Sequence, residues 1–236
     1  MDKKRGQVTL FVIIAILIVV GIVGLFLYRE RAKKASVIEI ENVRNYLNER
    51  VGHEIDSALL FIGLQGGYSE PPEKVLRLRY HFVPYYYYNK KAAIPSKEKI
   101  KEEIEKEIIK RIELMEVPVN FVETEKSKPE IELNEVIEIN FPIKIRKDTA
   151  SATIRIKHVT KLSIEKMLKA SEEIVETVKV DPRAIDLTAL IDIQKRYGLV
   201  VSPLIYNETT IIYRLINEET NILNLPFEFY FAVENV

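Results

Sequence analysis

From Gly6 to Tyr28 the chain has no charged residue, and from Leu10 to Leu27 it has no polar side chain at all. No other stretch constrains the fold as much. At about 1.5 Å rise per residue, some 20 residues cross the roughly 30 Å hydrocarbon core of a bilayer. A helix is the open-ended element that satisfies its own backbone there. The sequence therefore predicts a transmembrane helix over residues 7–28. A cleaved secretory signal would have a shorter apolar core and a small-residue cleavage site. Here the run ends in Phe26-Leu27-Tyr28-Arg29-Glu30-Arg31, with no small-x-small pair beside it. The expectation is a retained signal anchor, single-pass, with the lipid bilayer as first partner.

Beyond the anchor, all ten prolines lie at or after Pro71. Ile40, Val43, Leu47, Val51, Ile55, Ala58 and Ile62 recur at spacings of three or four, the signature of one apolar helix face. Glu39, Arg44, Asn48, Glu49 and Asp56 take the opposite face. Gly66-Gly67 and Pro71-Pro72 supply a stop. The helix is thus expected to continue as a stem over 29–66, with its stripe covered by its own domain or by other membrane or surface proteins.

Composition bounds the rest. Cysteine is absent, which removes disulfides, thiolate metal sites and cysteine nucleophiles. The chain carries 35 basic and 35 acidic residues. Residues 1–35 hold seven basic and two acidic side chains, leaving 28 basic against 33 acidic in the remainder. That balance gives no nucleic-acid footprint. Few Gln beside many Lys and Glu is a composition of the thermophile kind.

The residues ahead of the apolar run carry a sharper signal. Lys3-Lys4-Arg5-Gly6-Gln7-Val8-Thr9 resembles archaeal class III (type IV pilin-like) signal sequences. The resemblance implies cleavage between Gly6 and Gln7, with residues 1–6 as a basic leader and Thr9 at the hydroxyl position. It also implies an N-terminus inside and a domain outside the cell membrane. Filament-forming members usually have Glu five residues into the mature chain, and this chain has Phe11 there. More loosely, Gly6–Phe11, Gln65-Gly66-Gly67-Tyr68, Tyr85–Tyr88 and Phe229–Val233 resemble segments shared by small uncharacterised archaeal membrane proteins, a likeness that implies membrane location and no activity. Flanking charge alone does not orient the segment, because three basic residues precede it and four follow.

The remainder, 67–236, reads as α+β with a largely antiparallel sheet. Val75–Phe82 alternates as a half-buried strand. Pro84 is followed by Tyr85, Tyr86, Tyr87 and Tyr88, which suit a binding surface, an interfacial belt, or a strand packed on both faces. Ser96 opens a charged helix to about Glu116, with a stripe of Ile100, Ile104, Ile108, Ile112 and Met115 and an otherwise solvated face. Val119–Val122 forms a loop or edge strand. Ile131–Ile145, with Pro142 at an edge or bulge, and Thr153–Lys157 make a hairpin. Helices follow over 163–178 and 185–197, the second ending at Gly198. Leu199–Tyr206 and Thr210–Ile216 form another hairpin, and Phe227–Val233 a last strand. Asn207-Glu208-Thr209 is a glycosylation sequon.

Catalytic signals are sparse. His53, His81 and His158 lie on separate elements, and His53-Glu54 lacks the second histidine of a zinc-protease helix. The glycines of 63–67 lack the strand and Lys-Ser/Thr of a phosphate cradle and read as a helix C-cap. No cofactor is expected. The sequence favours an anchored extracytoplasmic binding or structural protein. A pilin-like subunit of a filament or assembly machine stands second, and an anchored hydrolase third.

Overall fold

The structure is a computed structural model. It describes the backbone of residues 3–114, 123–126, 128–147, 150–182 and 184–234, and the side chains of 18–30, 41–114, 128–145, 153–182 and 184–234. Four helices and ten strands are described: α1 Lys3–Leu64, β1 Val75–Arg77, β2 Phe82–Tyr88, β3 Lys91–Ala92, α2 Lys97–Glu113, β4 Glu123–Lys126, β5 Glu130–Leu133, β6 Ile137–Lys147, β7 Ala150–Thr160, α3 Ile164–Val180, α4 Leu187–Tyr197, β8 Val200–Asn207, β9 Thr210–Ile222 and β10 Leu225–Glu234.

The strands make two sheets. The larger runs β1-β2-β10-β9-β8, with β3 also on β2; in the smaller, β6 is flanked by β7 on one side and by β4 and β5 on the other. Every pairing is antiparallel except β2 with β10. α1 joins them, touching β9 and β10 of the larger sheet, β6 and β7 of the smaller, and α2. Leu47, Val51, Ile55, Ala58, Leu59 and Ile62 are at most 1% exposed, so the domain itself covers the stripe read from the sequence from Leu47 to Ile62; Val43 is half-buried, and Ile40 lies outside the described side chains. Each buried Leu, Val or Ile contributes about 1.5–3 kcal/mol. The helix is part of the domain core from Leu47 onward.

α1 ends for a local reason. Gly67 N–H bonds the Ile62 carbonyl (2.8 Å) and Gly66 N–H the Gly63 carbonyl (3.0 Å), while Gly66 takes φ +54°. This is a Schellman closure, which needs a left-handed residue just past the helix. Gly63 serves packing instead: a Cβ there would collide with the Glu228 carbonyl and lie 2.7 Å from the Phe227 ring. The glycine-rich stretch is thus both a helix stop and a point of close approach to β10.

Among the described residues no helix is long and apolar enough to cross a membrane. This corrects the expected transmembrane helix over 7–28 and the single-pass signal anchor built on it. The side chains described in that part of α1, residues 18–30, make a stretch of only about 20 Å at 1.5 Å per residue. All of them are exposed. The Gly6–Gln7 junction and Phe11 lie outside the described side chains, as does the Val119–Val122 segment outside the described residues.

Three other expectations change. The Val75–Phe82 strand is a tight hairpin: Arg77 pairs Phe82, Leu78 N–H bonds the His81 carbonyl (2.9 Å), and the chain reverses at Arg79-Tyr80. No Gly, Asn or Pro marks that turn. The Ile131–Ile145 strand is two strands, β5 and β6, paired with each other. Pro142 sits where the partner of β6 changes from β5, opposite 137–140, to β4, opposite 143–146, a gap suited to a residue without an N–H. The charged face of α2 is not wholly solvated, since Glu103 and Glu107 are each 3% exposed.

Candidate functional site

The six-stranded sheet buries one face against α1, and among the described residues no helix packs on the other. On the covered face Tyr86, Tyr213, Phe229 and Phe231 interlock; Phe231 stacks on Tyr86 at 4.8 Å and on Tyr213 at 5.5 Å. The Tyr86 hydroxyl donates to the Gly66 carbonyl at 2.9 Å, tying the sheet to the helix stop. Tyr86 and Tyr87 therefore belong to the core and present no surface. The strand pleat separates Tyr86 from Tyr85, and the register shift between β2 and β10, with Tyr85 against Ala232 and Tyr87 against Val233, turns Tyr87 inward as well.

On the other face a small cluster of Val83, Ile212 and Ala232 is packed by the strand and hairpin residues Leu76, Leu78, Tyr85 and Tyr230. Around it lies a shelf of tyrosines. Tyr85 and Tyr88 are half-buried and meet edge to face at 5.3 Å. Tyr80 is 82% exposed at the tip of the β1–β2 hairpin, with the Arg79 guanidinium over its ring at 5.1 Å. Lys74 lies over Tyr88 at 5.6 Å. Leu204, opposite Ile212 on β8, is also exposed on this side. Tyr85 shares a hydrogen bond with the Thr210 hydroxyl (3.1 Å).

A polar chain crosses the same face. Tyr230 donates to Glu228 Oε2 at 2.6 Å, and Arg214, directly across from Tyr230, pairs with Glu228 Oε1. Burial, aided by the Glu228 carboxylate, pushes the Tyr230 hydroxyl up to about 12. His81 stands edge-on to Tyr230 (6.1 Å), and burial lowers its pKa. Arg214 Nε and His81 Nε2 are buried with no hydrogen-bond partner among the described residues. Chemically, the face offers aromatic area, hydroxyls and one shielded ion pair. Such a mixture is of the kind found at protein recognition surfaces, where Tyr supplies large contact area at low entropic cost.

The sequence singled out Tyr85 and Tyr88 of this face and missed Tyr80, Arg214, Glu228 and Tyr230. Alternation along 227–233 signals two faces, but not which one stays open. Asn207 lies at the exposed β8–β9 turn, where its Oδ1 accepts from Thr209 N–H (2.9 Å) and the Thr209 hydroxyl (3.2 Å).

The histidines do not gather. His158 Nε2 lies 2.7 Å from Asp56 Oδ1 and 3.1 Å from the Thr160 hydroxyl, joining β7 to α1. Both partners meet the same ring nitrogen, so the trio lacks the two-ended geometry of a nucleophile relay. The carboxylate-lined groove between α3 and α4, with Glu172, Glu176, Asp181 and Asp192, contains no histidine. Among the described residues no group of three or more His, Asp or Glu side chains could hold a metal ion. Compared with known proteins, the chain matches no family model, no curated protein and no solved structure.

Proposed function

We propose that this protein works by binding rather than catalysis, docking a partner protein on the helix-free face of its six-stranded sheet. The observation that carries the reading is the tyrosine shelf itself. Tyr85 of β2 and Tyr230 of β10 pack on one small apolar cluster, Tyr88 meets Tyr85 edge to face, and Tyr80 stands exposed at the tip of the β1–β2 hairpin. An open aromatic face with a shielded ion pair resembles the core and rim of a recognition surface more than a plain solvated sheet. A photo-crosslinking side chain at Tyr80 in native cells tests it, with Val159, 49% exposed on β7 of the other sheet, as control. The expected result is a discrete adduct at Tyr80 that Tyr88→Glu abolishes. No adduct, or the same adduct from Val159, refutes the reading.

A second reading has its own observation. The apolar side chains from Ile18 to Tyr28 are 50–73% exposed on every side of α1, and a helix apolar all round is one that something buries. As a subunit of a pilus-related filament, the protein would bury this segment among the same helices of other copies. The mass of the N-terminal peptide from native material tests this. A chain beginning at Gln7 supports it, and one beginning at Met1 sinks it.

A further inference from the structure

We infer that the end of β8, Leu204–Tyr206, pairs with the same segment of a second copy of this chain. Among the described residues β8 ends the larger sheet, and one side of its backbone has no strand partner there. Natural edge strands are shortened, charged, broken by proline or covered. The other edges follow that rule: β1 has three residues and ends in Arg77, β3 begins with Lys91, β5 carries Glu130 and Glu132, and β7 carries Arg155 and Lys157. The first half of β8 follows it too. Gln194 donates from α4 to the Val201 carbonyl (3.2 Å), and Pro203 offers no N–H.

The second half has none of these guards. From Gly198 to Asn207 no residue is charged. Leu204 is 46% exposed, Ile205 74% and Tyr206 50%. The β8–β9 register slips between Ile205 and Asn207, so Tyr206 has no residue opposite it on β9. An added strand must therefore be extended, apolar and uncharged, and β8 itself has that chemistry. Two copies meeting antiparallel about Ile205 form an isologous two-fold contact. Ile205 then faces its twin, and Leu204 of each copy lies beside Tyr206 of the other. No charge falls within the pair, and the two larger sheets become one continuous sheet. This inference is independent of the partner-docking reading.

The chain has no cysteine, so a single introduced thiol reports the contact. Ile205→Cys is compared with Val180→Cys, a position 87% exposed at the end of α3, in the full chain under copper-phenanthroline oxidation. The expected result is disulfide-linked dimer forming at least roughly tenfold faster from the Ile205 variant, because pairing holds the twin thiols at high effective concentration. Adding Leu204→Lys should return that rate to the control value. Equal rates for the two single variants, or a rate unmoved by Leu204→Lys, overturn the proposal. Association through α1 would speed both positions alike and is removed by the comparison.

Discussion

Glu103→Gln tests the energetics of a charged group that the fold both buries and partners on several sides. Glu103 lies on α2 at 3% exposure. It accepts from Ser69 N–H (3.0 Å), the Ser69 hydroxyl, Lys99 Nζ (2.8 Å) and Lys106 Nζ (3.2 Å). Burial alone would raise its pKa; the bonds from Lys99, Ser69 and Lys106 outweigh it and lower the carboxyl from 4.5 to about 2. At about 1.36 kcal/mol per pKa unit, that separation is worth about 3 kcal/mol. The folded pKa is depressed, so the stabilisation is complete above the unfolded value, near 4.5, and drains as pH falls toward 2. Glu103→Gln keeps the shape and removes the charge. The variant should lose about 3 kcal/mol at pH 7, about 1.4 kcal/mol at pH 3 and under about 0.5 kcal/mol at pH 2. Urea unfolding of the full chain in mild non-ionic detergent, followed by circular dichroism, measures this directly. A loss under about 0.5 kcal/mol at pH 7, or one that does not shrink with acid, refutes the assignment of Glu103 as a buried clamp between α2 and the α1–β1 connection.

Other outcomes follow from the same geometry. Gly63→Ala should cost more than about 3 kcal/mol, because its Cβ meets backbone and ring atoms of β10 that cannot move independently. Gly198→Ala has open space and only the φ +64° penalty, so about 1 kcal/mol is expected; thermal melts of the two variants compare them. Tyr86→Phe should cost about 1–2 kcal/mol in urea unfolding through the unpaired Gly66 carbonyl, with the aromatic stack retained. In an ultraviolet titration of the twelve tyrosines, Tyr213 and Tyr230 should remain protonated at about pH 11, since both sit near 12. Burial holds Tyr86 well above its ordinary value as well. The stability these raised groups carry is whole below pH 10 and is lost as pH rises toward 12; single Tyr→Phe variants assign the late phases.

Much of the secondary structure was legible because its causes are local. Ser96, Ser163 and Asp186 each accept a backbone N–H three residues on and open α2, α3 and α4. Gly198 closes α4 in the left-handed region, and Gly66-Gly67 close α1. The β8–β9 and β6–β7 hairpins join neighbours in sequence, so alternation and a short turn suffice to place them. The α+β class and the apolar stripe from Leu47 to Ile62 follow from the same short-range periodicities. The Arg79-Tyr80 turn and the β5–β6 break escaped because neither carries the usual turn residues.

Only the tertiary structure decided which side of each element would be used. Four consecutive tyrosines look alike in sequence; the long-range parallel pairing of β2 with β10, Tyr85 against Ala232, sends Tyr86 into the core and leaves Tyr85 on the open face. The same holds for α2, where Glu103 and Glu107 fall on the buried side because α1 lies across it, although their neighbours Lys101 and Lys106 face water. It holds again for β8, whose apolar residues read as an ordinary core strand until the sheet order leaves it at an edge. Helix caps and turns are fixed within a few residues of backbone, whereas burial is a property of what comes to lie opposite, and that is set by contacts between residues distant in sequence, such as Ser69 with Glu103 or Tyr85 with Ala232.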